Sequence, residues 1–85
     1  MDDEVLKLYG YVIISTYRYK TVESLKEDVK TPTQISSETG IRSNHISKVL
    51  KELKEKGIAE CINEDYKKGK LYRLTEVGNE IAKKI

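Results

Sequence analysis

From Arg42 to Lys51 the chain reads Arg-Ser-Asn-His-Ile-Ser-Lys-Val-Leu-Lys, a run dense in side chains that recognise nucleic acid. At about 100° per residue, Asn44, Ser47, Lys48 and Lys51 share one side of a helix, with His45 at its edge. Ile46, Val49, Leu50 and Leu53 form an apolar stripe on the other side. Asparagine pairs with adenine through two hydrogen bonds, serine bonds to several bases, and lysine reaches a backbone phosphate or guanine. A helix of this kind fixes one face to a domain core and offers the other to the major groove, where Arg42 to Lys48 is the half that enters. A second group lies in Asn63-Glu-Asp-Tyr-Lys-Lys-Gly-Lys70, where Lys67, Lys68 and Lys70 surround Gly69. Lysines on a projecting turn suit phosphate or minor-groove contact. Glu64 and Asp65 oppose such contact and are expected on the side away from it. Tyr66 suits stacking, a phosphate bond or packing on the strand base.

Each group has a plainer reading. An ordinary amphipathic helix also has a solvated polar face, and lysines on edge strands also prevent sheet-to-sheet association. The surrounding elements favour the recognition reading in both cases. Weaker candidates sit around these two. Thr31, Thr33 and Gln34 begin a short helix whose backbone N–H groups can meet a phosphate, although Thr31 equally suits a plain helix cap. Arg42 and Ser43 open the longer helix. Arg18 and Lys20 suit either a phosphate contact or solvated surface. His45 is the only histidine and Cys61 the only cysteine, which leaves a poor metal site and no internal disulfide. Cys61, in a strand, reads as a small buried hydrophobe, with redox sensing the minor reading. No phosphate-binding glycine loop, zinc-protease motif or nucleophile elbow occurs, so no enzymatic activity and no cofactor are expected.

The elements that must position these groups follow from local signals. Asp3 to Ile13 has Val5, Leu8, Tyr9, Val12 and Ile13 at helical spacing behind acidic residues, while Tyr9 to Ile14 also suits a strand. Ser15 suits the cap of a second helix, Thr16 to about Asp28, with Tyr19, Val22 and Leu25 inward. The sequence leaves open whether these are two helices or one bent helix. Thr31-Pro32 predicts a helix from Pro32 to Thr39, with Ile35 inward and Gly40 at its left-handed end. After Ile41, a helix is expected from Arg42 or Ser43 to about Lys56, stopped by Gly57. Ile58 to Asn63 and Lys70 to Thr75 read as a β-hairpin, and Thr75-Glu76 starts a last helix with Val77, Ile81 and Ile85 on one side. Two helices joined by a tight glycine turn, followed directly by a hairpin, predict a mainly α winged helix-turn-helix with the hairpin as its wing.

Eighty-five residues suit one domain, with residues 1–14 as an N-terminal helical extension and 16–85 as the winged-helix core. With 38% hydrophobic and 35% charged residues at regular spacing, the chain reads as globular rather than disordered. A net charge of +2 points to no partner by itself. The distribution is more telling, because Asp2, Asp3 and Glu4 cluster at the start while Tyr66 to Arg73 holds four cations and no acid. No signal peptide or span-length apolar run is seen, so a cytoplasmic location and no membrane partner are expected.

Lys30-Thr-Pro-Thr-Gln-Ile-Ser36, Thr39-Gly-Ile41 and His45-Ile-Ser-Lys-Val-Leu-Lys-Glu-Leu53 together resemble archaeal winged-helix transcriptional regulators of the broad MarR/ArsR type. Lys56-Gly-Ile58, Lys68-Gly-Lys70 and Leu71-Tyr-Arg-Leu-Thr-Glu-x-Gly78 continue the likeness, which runs from about Tyr17 to Ile85. The resemblance implies double-stranded DNA as partner, a recognition face of Asn44, His45, Ser47, Lys48 and Lys51, and a wing of Lys67, Lys68 and Lys70. It also implies a homodimer through terminal helices. Val5, Leu8, Tyr9 and Val12 are then expected to pair with Val77, Ile81 and Ile85, within or between chains. The cysteine cluster of ArsR-type metal sensors has no counterpart. A winged helix that binds another protein inside a larger assembly stands as the alternative, and a nonspecific architectural or RNA-binding role as a third.

Overall fold

A computed structural model describes residues 2–26 and 28–85. Its elements run α1 (Asp3–Ile13), α2 (Thr16–Ser24), α3 (Pro32–Thr39), α4 (Ser43–Glu55), β1 (Ala59–Cys61), β2 (Tyr72–Leu74) and α5 (Glu76–Ala82). The chain is thus mainly helical, with one small antiparallel sheet.

Among the described residues, four of the five helices start on a side-chain cap. Asp2, Ser15, Thr31 and Thr75 each accept a bond from a backbone N–H of the first turn, which relieves the unpaired donors there. Ser15 is extended (φ −119°, ψ 118°), so α1 and α2 are two helices, and the strand reading of Tyr9 to Ile14 does not hold. The helical face of α1 wins because it buries Val5 and Val12. α2 ends at Ser24, short of the expected Asp28, and residue 27 lies outside the described residues. Two tertiary interactions favour the early stop. Leu25 turns into the core at 2% exposure, and the Lys30 ammonium donates to the Ser24 carbonyl, one of the unpaired carbonyls at the helix end. Tyr19 is only half-buried and stands outside the core, whereas Val22 and Leu25 are buried as expected.

The core joins Val5 and Val12 to Val22, Leu25, Ile35, Ile41, the α4 stripe, Ile58 and Ile81, with Leu8, Tyr9, Val77 and Ile85 packed at its margin. The apolar faces of the terminal helices therefore meet within one chain, and the Tyr9 hydroxyl lies 3.5 Å from the Lys84 carbonyl oxygen. Thr21 is fully buried, yet its hydroxyl has no hydrogen-bond partner among the described residues. A Thr21→Val variant removes this unmet polar group at nearly constant shape and gains about 1 kcal/mol. Thermal unfolding is the check, with an expected rise of roughly 4–8 °C per kcal/mol for a domain of this size.

The strands are shorter than the predicted hairpin arms. Ala59, Glu60 and Cys61 pair with Leu74, Arg73 and Tyr72, and Thr75 N–H adds a bond to the Ile58 carbonyl. The other edge of β2 is also used. Tyr72 and Lys30 exchange both main-chain bonds, at 2.8 and 3.0 Å, so the segment before α3 lies antiparallel beside β2. This bridge was not foreseen from the sequence, and it ties the hairpin to the start of α3.

Candidate nucleic-acid interface

Gly40 takes the left-handed conformation (φ 76°) that closes α3, with its N–H on the Ser36 carbonyl. Ile41, buried at 5% exposure, anchors the turn. α4 then starts at Ser43 without any side-chain cap, Arg42 being its extended N-cap residue. Ile46, Val49, Leu50 and Leu53 are buried, so the opposite side of the helix is forced outward. Arg42, Ser43, Asn44, Ser47, Lys48 and Lys51 are all exposed. His45 departs from this set. It is half-buried, with its ring packed on Tyr17 at 5.3 Å between centroids, so it helps to brace α4 against α2.

The lysine-bearing segment comes to the same side of the molecule. Lys67, Lys68, Gly69 and Lys70 line a concavity of about 450 Å³ together with Ser47 of α4, Thr31, Pro32 and Thr33 at the start of α3, and Tyr72 of β2. Lys67 and Lys68 are exposed and Lys70 is half-buried. Burial, first among its causes, holds the Tyr72 phenol above its ordinary range. Members of three sequence-predicted groups, Thr33 of α3, Ser47 of α4 and the hairpin lysines, thus line one concavity, whereas Asn44, Lys48 and Lys51 are not among its lining residues. Gln34 is the exception in its group. Its side chain accepts from Thr31 N–H at 2.8 Å while Thr31 Oγ1 accepts from Gln34 N–H, a capping box that occupies the amide oxygen.

Two acidic residues of this region, Glu60 and Glu64, are held by cations, whereas Asp65 is exposed. Glu64 pairs with Lys54 near the C-terminal end of α4, which lowers the carboxyl and raises the ammonium through their hydrogen bond. Glu60 meets Arg73 across the sheet at 3.0 Å. Arg18 is neither solvated surface nor free for phosphate. Its guanidinium lies 3.8 Å from the centre of the Tyr11 ring, donates to the Tyr11 carbonyl at 3.0 Å and lies 3.6 Å from Glu52. Lys20 lines a different groove, between α2 and α3. Cys61 is half-buried rather than buried, because its strand lies at an edge of the sheet, and its thiol reaches Asn63 Oδ1 at 3.5 Å.

In that second groove, Lys30 reaches Glu38 of α3 as well as Ser24 of α2. Glu38 is held below its ordinary range by hydrogen bonds from Lys30 first and Ser24 second. A carboxyl depressed in the folded state stabilises the fold above its unfolded value, and that contribution is lost as pH falls through the lower folded value. Stability should therefore drop on acidification below about pH 4.5 less steeply in Glu38→Gln than in the parent chain. Urea unfolding across pH 2.5 to 7 reads this out; parallel profiles for the two proteins are the opposite result.

Two contributors to the site were missed in the sequence, Lys30 and Asn63. Lys30 sits in Val29-Lys30-Thr31, whose β-branched neighbours are a faint strand signal. Asn63 stands at the entry to the lysine loop, a common turn position for asparagine. Among the described residues, no helix is long and apolar enough to cross a membrane. Comparisons of the chain with protein-family models, with curated proteins and with solved structures find no match.

Proposed function

We propose that this chain is a winged helix-turn-helix domain that binds double-stranded DNA and regulates transcription. The observation that carries the reading is the shared concavity, which brings Ser47 of α4, the start of α3 and the cations Lys67, Lys68 and Lys70 to one face. α3, the Gly40 turn and α4 then form the helix-turn-helix, and α4 is the recognition helix. Asn44 and Ser47 read base edges, while Lys48 and Lys51 neutralise phosphates along the groove. The uncapped start of α4 offers its first N–H groups to a phosphate. The hairpin is the wing, with its lysines on the backbone or in the adjacent minor groove.

A net charge of +2 leaves little long-range attraction. Binding therefore depends on local contacts, and specificity on the short polar side chains of α4. Selection of bound fragments from random duplex DNA, followed by competition with random duplex and with RNA, tests the reading. A defined sequence that outcompetes both supports it. Palindromic products with half-sites about one helical turn apart identify a DNA-bound homodimer. Weak, salt-labile binding without sequence preference overturns the regulator and favours a domain whose polar face meets another protein.

A further inference from the structure

The lysine loop between β1 and β2 is closed by one side chain. In the observed register, Ile62 faces Leu71, and the Ile62 N–H donates to the Leu71 carbonyl at 2.9 Å. An antiparallel pair of this kind ordinarily returns the bond, from Leu71 N–H to the Ile62 carbonyl. Here the Leu71 N–H donates instead to Asn63 Oδ1 at 2.7 Å. The other half of the same carboxamide, Asn63 Nδ2, donates to the Gly69 carbonyl at 3.1 Å. The Asn63 carbonyl accepts from Tyr66 N–H at 3.0 Å, which turns the chain just before the lysines. Gly69 itself stands at φ 68°, a left-handed conformation that favours glycine.

Asn63 thus binds both ends of the loop that carries Lys67 and Lys68, and Lys70 lies between its two far partners. The carboxamide accepts from one main-chain group through its oxygen and donates to another through its separate NH2 group. We infer that Asn63 is a positioning residue that presents Lys67, Lys68 and Lys70 to the DNA backbone; the inference rests on the DNA-binding reading above. It acts by holding the loop in one arrangement before binding, so that ordering three lysines costs less on contact. The Asn63 side chain is half-buried and already committed to Gly69 and Leu71, with the Cys61 thiol of β1 at 3.5 Å.

The test compares Asn63→Ala, Gly69→Ala and the triple variant Lys67→Ala/Lys68→Ala/Lys70→Ala in titrations of a selected duplex over a range of salt. Asn63→Ala is expected to bind about tenfold more weakly at 0.1 M salt, with a log–log salt slope shallower by about one, the equivalent of one lost phosphate contact. Gly69→Ala, which strains the same closure at the backbone of Asn63's partner and keeps the carboxamide in place, should do likewise. Asn63→Ala placed in the triple variant should add no further loss, because no lysines remain to position. Amide exchange at Leu71, measured without DNA, should quicken in Asn63→Ala while thermal unfolding stays cooperative. Unchanged affinity and slope in Asn63→Ala, with weak binding by the triple variant, overturn the positioning role alone. A full additive loss in the triple background overturns it as well. Equal binding by the parent and triple variants, or no duplex binding by the parent, overturns the wing reading and the inference with it.

Discussion

A Lys48→Ala/Lys51→Ala variant should bind its selected duplex about a hundredfold more weakly than the parent chain at 0.1 M salt. Each lysine that neutralises a phosphate contributes about 0.9 to the slope of log K against log salt, which is close to a factor of ten at 0.1 M. Two such contacts give the hundredfold loss, and the same arithmetic shrinks it to roughly tenfold at 0.3 M. The convergence with salt is the signature that separates phosphate neutralisation from base reading. Both side chains are exposed on the polar side of α4, and none of the ion pairs found among the described residues includes either of them. Their removal therefore leaves the fold intact, and thermal unfolding provides the control. An unchanged titration curve removes α4 as the DNA-contacting helix. Asn44→Ala makes a useful contrast, since loss of a paired base contact costs about 1–3 kcal/mol at one position of the site and leaves the salt slope alone.

The largest effect on stability is expected at Gly78. In most helices an exchange of glycine for alanine helps, by up to about 1 kcal/mol, because alanine has the better helix propensity. Gly10 in α1 fits that rule: a Cβ there meets nothing within 4 Å, and Gly10→Ala should gain about 0.5–1 kcal/mol. Gly78 in α5 reverses it. A Cβ there stands 2.1 Å from the Ile58 carbonyl oxygen and 3.0 Å from Leu74 Cβ. The Ile58 carbonyl cannot yield, because it already accepts from Thr75 N–H at 3.0 Å at the end of the sheet. Thr75 in turn caps α5 through Gly78 N–H and donates from its hydroxyl to the Gly57 carbonyl. The clash must therefore push α5 off the sheet, which costs about 1–3 kcal/mol or more and outweighs the gain in propensity. For a domain of this size, that lowers the melting temperature by roughly 10 °C. A Gly78→Ala protein that melts with the parent would show that α5 does not press on the sheet.

Local signals account for most of what was legible. Thr31-Pro32 and Gly40 set the limits of α3 because a cap, a proline at the first turn and a left-handed glycine act within a few residues. The apolar stripe of α4 predicted both its buried face and, by elimination, the exposed set Asn44, Ser47, Lys48 and Lys51, from which only His45 departs. The capping box of Thr31 and Gln34 is equally local; it engages the Gln34 N–H that the sequence offers to a phosphate, so Thr31 takes the role of a plain helix cap. The two three-residue strands were harder to delimit, since neither is long enough to display a period of its own.

Taken alone, the sequence determined α3, α4 and the start of α5, the caps Ser15 and Thr31 and the polar side of α4, because periodicity and capping depend on neighbours along the chain. Tertiary structure alone decided which charged groups remain available. Arg18 is consumed by Tyr11 and Glu52, Glu64 by Lys54, and Lys30 by Ser24 and Glu38, each through partners on other elements. It also decided that the lysine loop meets the start of α3, through the bridge from Lys30 to Tyr72 on the far edge of β2. That contact joins segments from opposite halves of the chain, and its stability comes from main-chain bonds that any residue except proline can make. For that reason, the face built from Ser47, Thr33 and the three lysines appears only when the chain is folded.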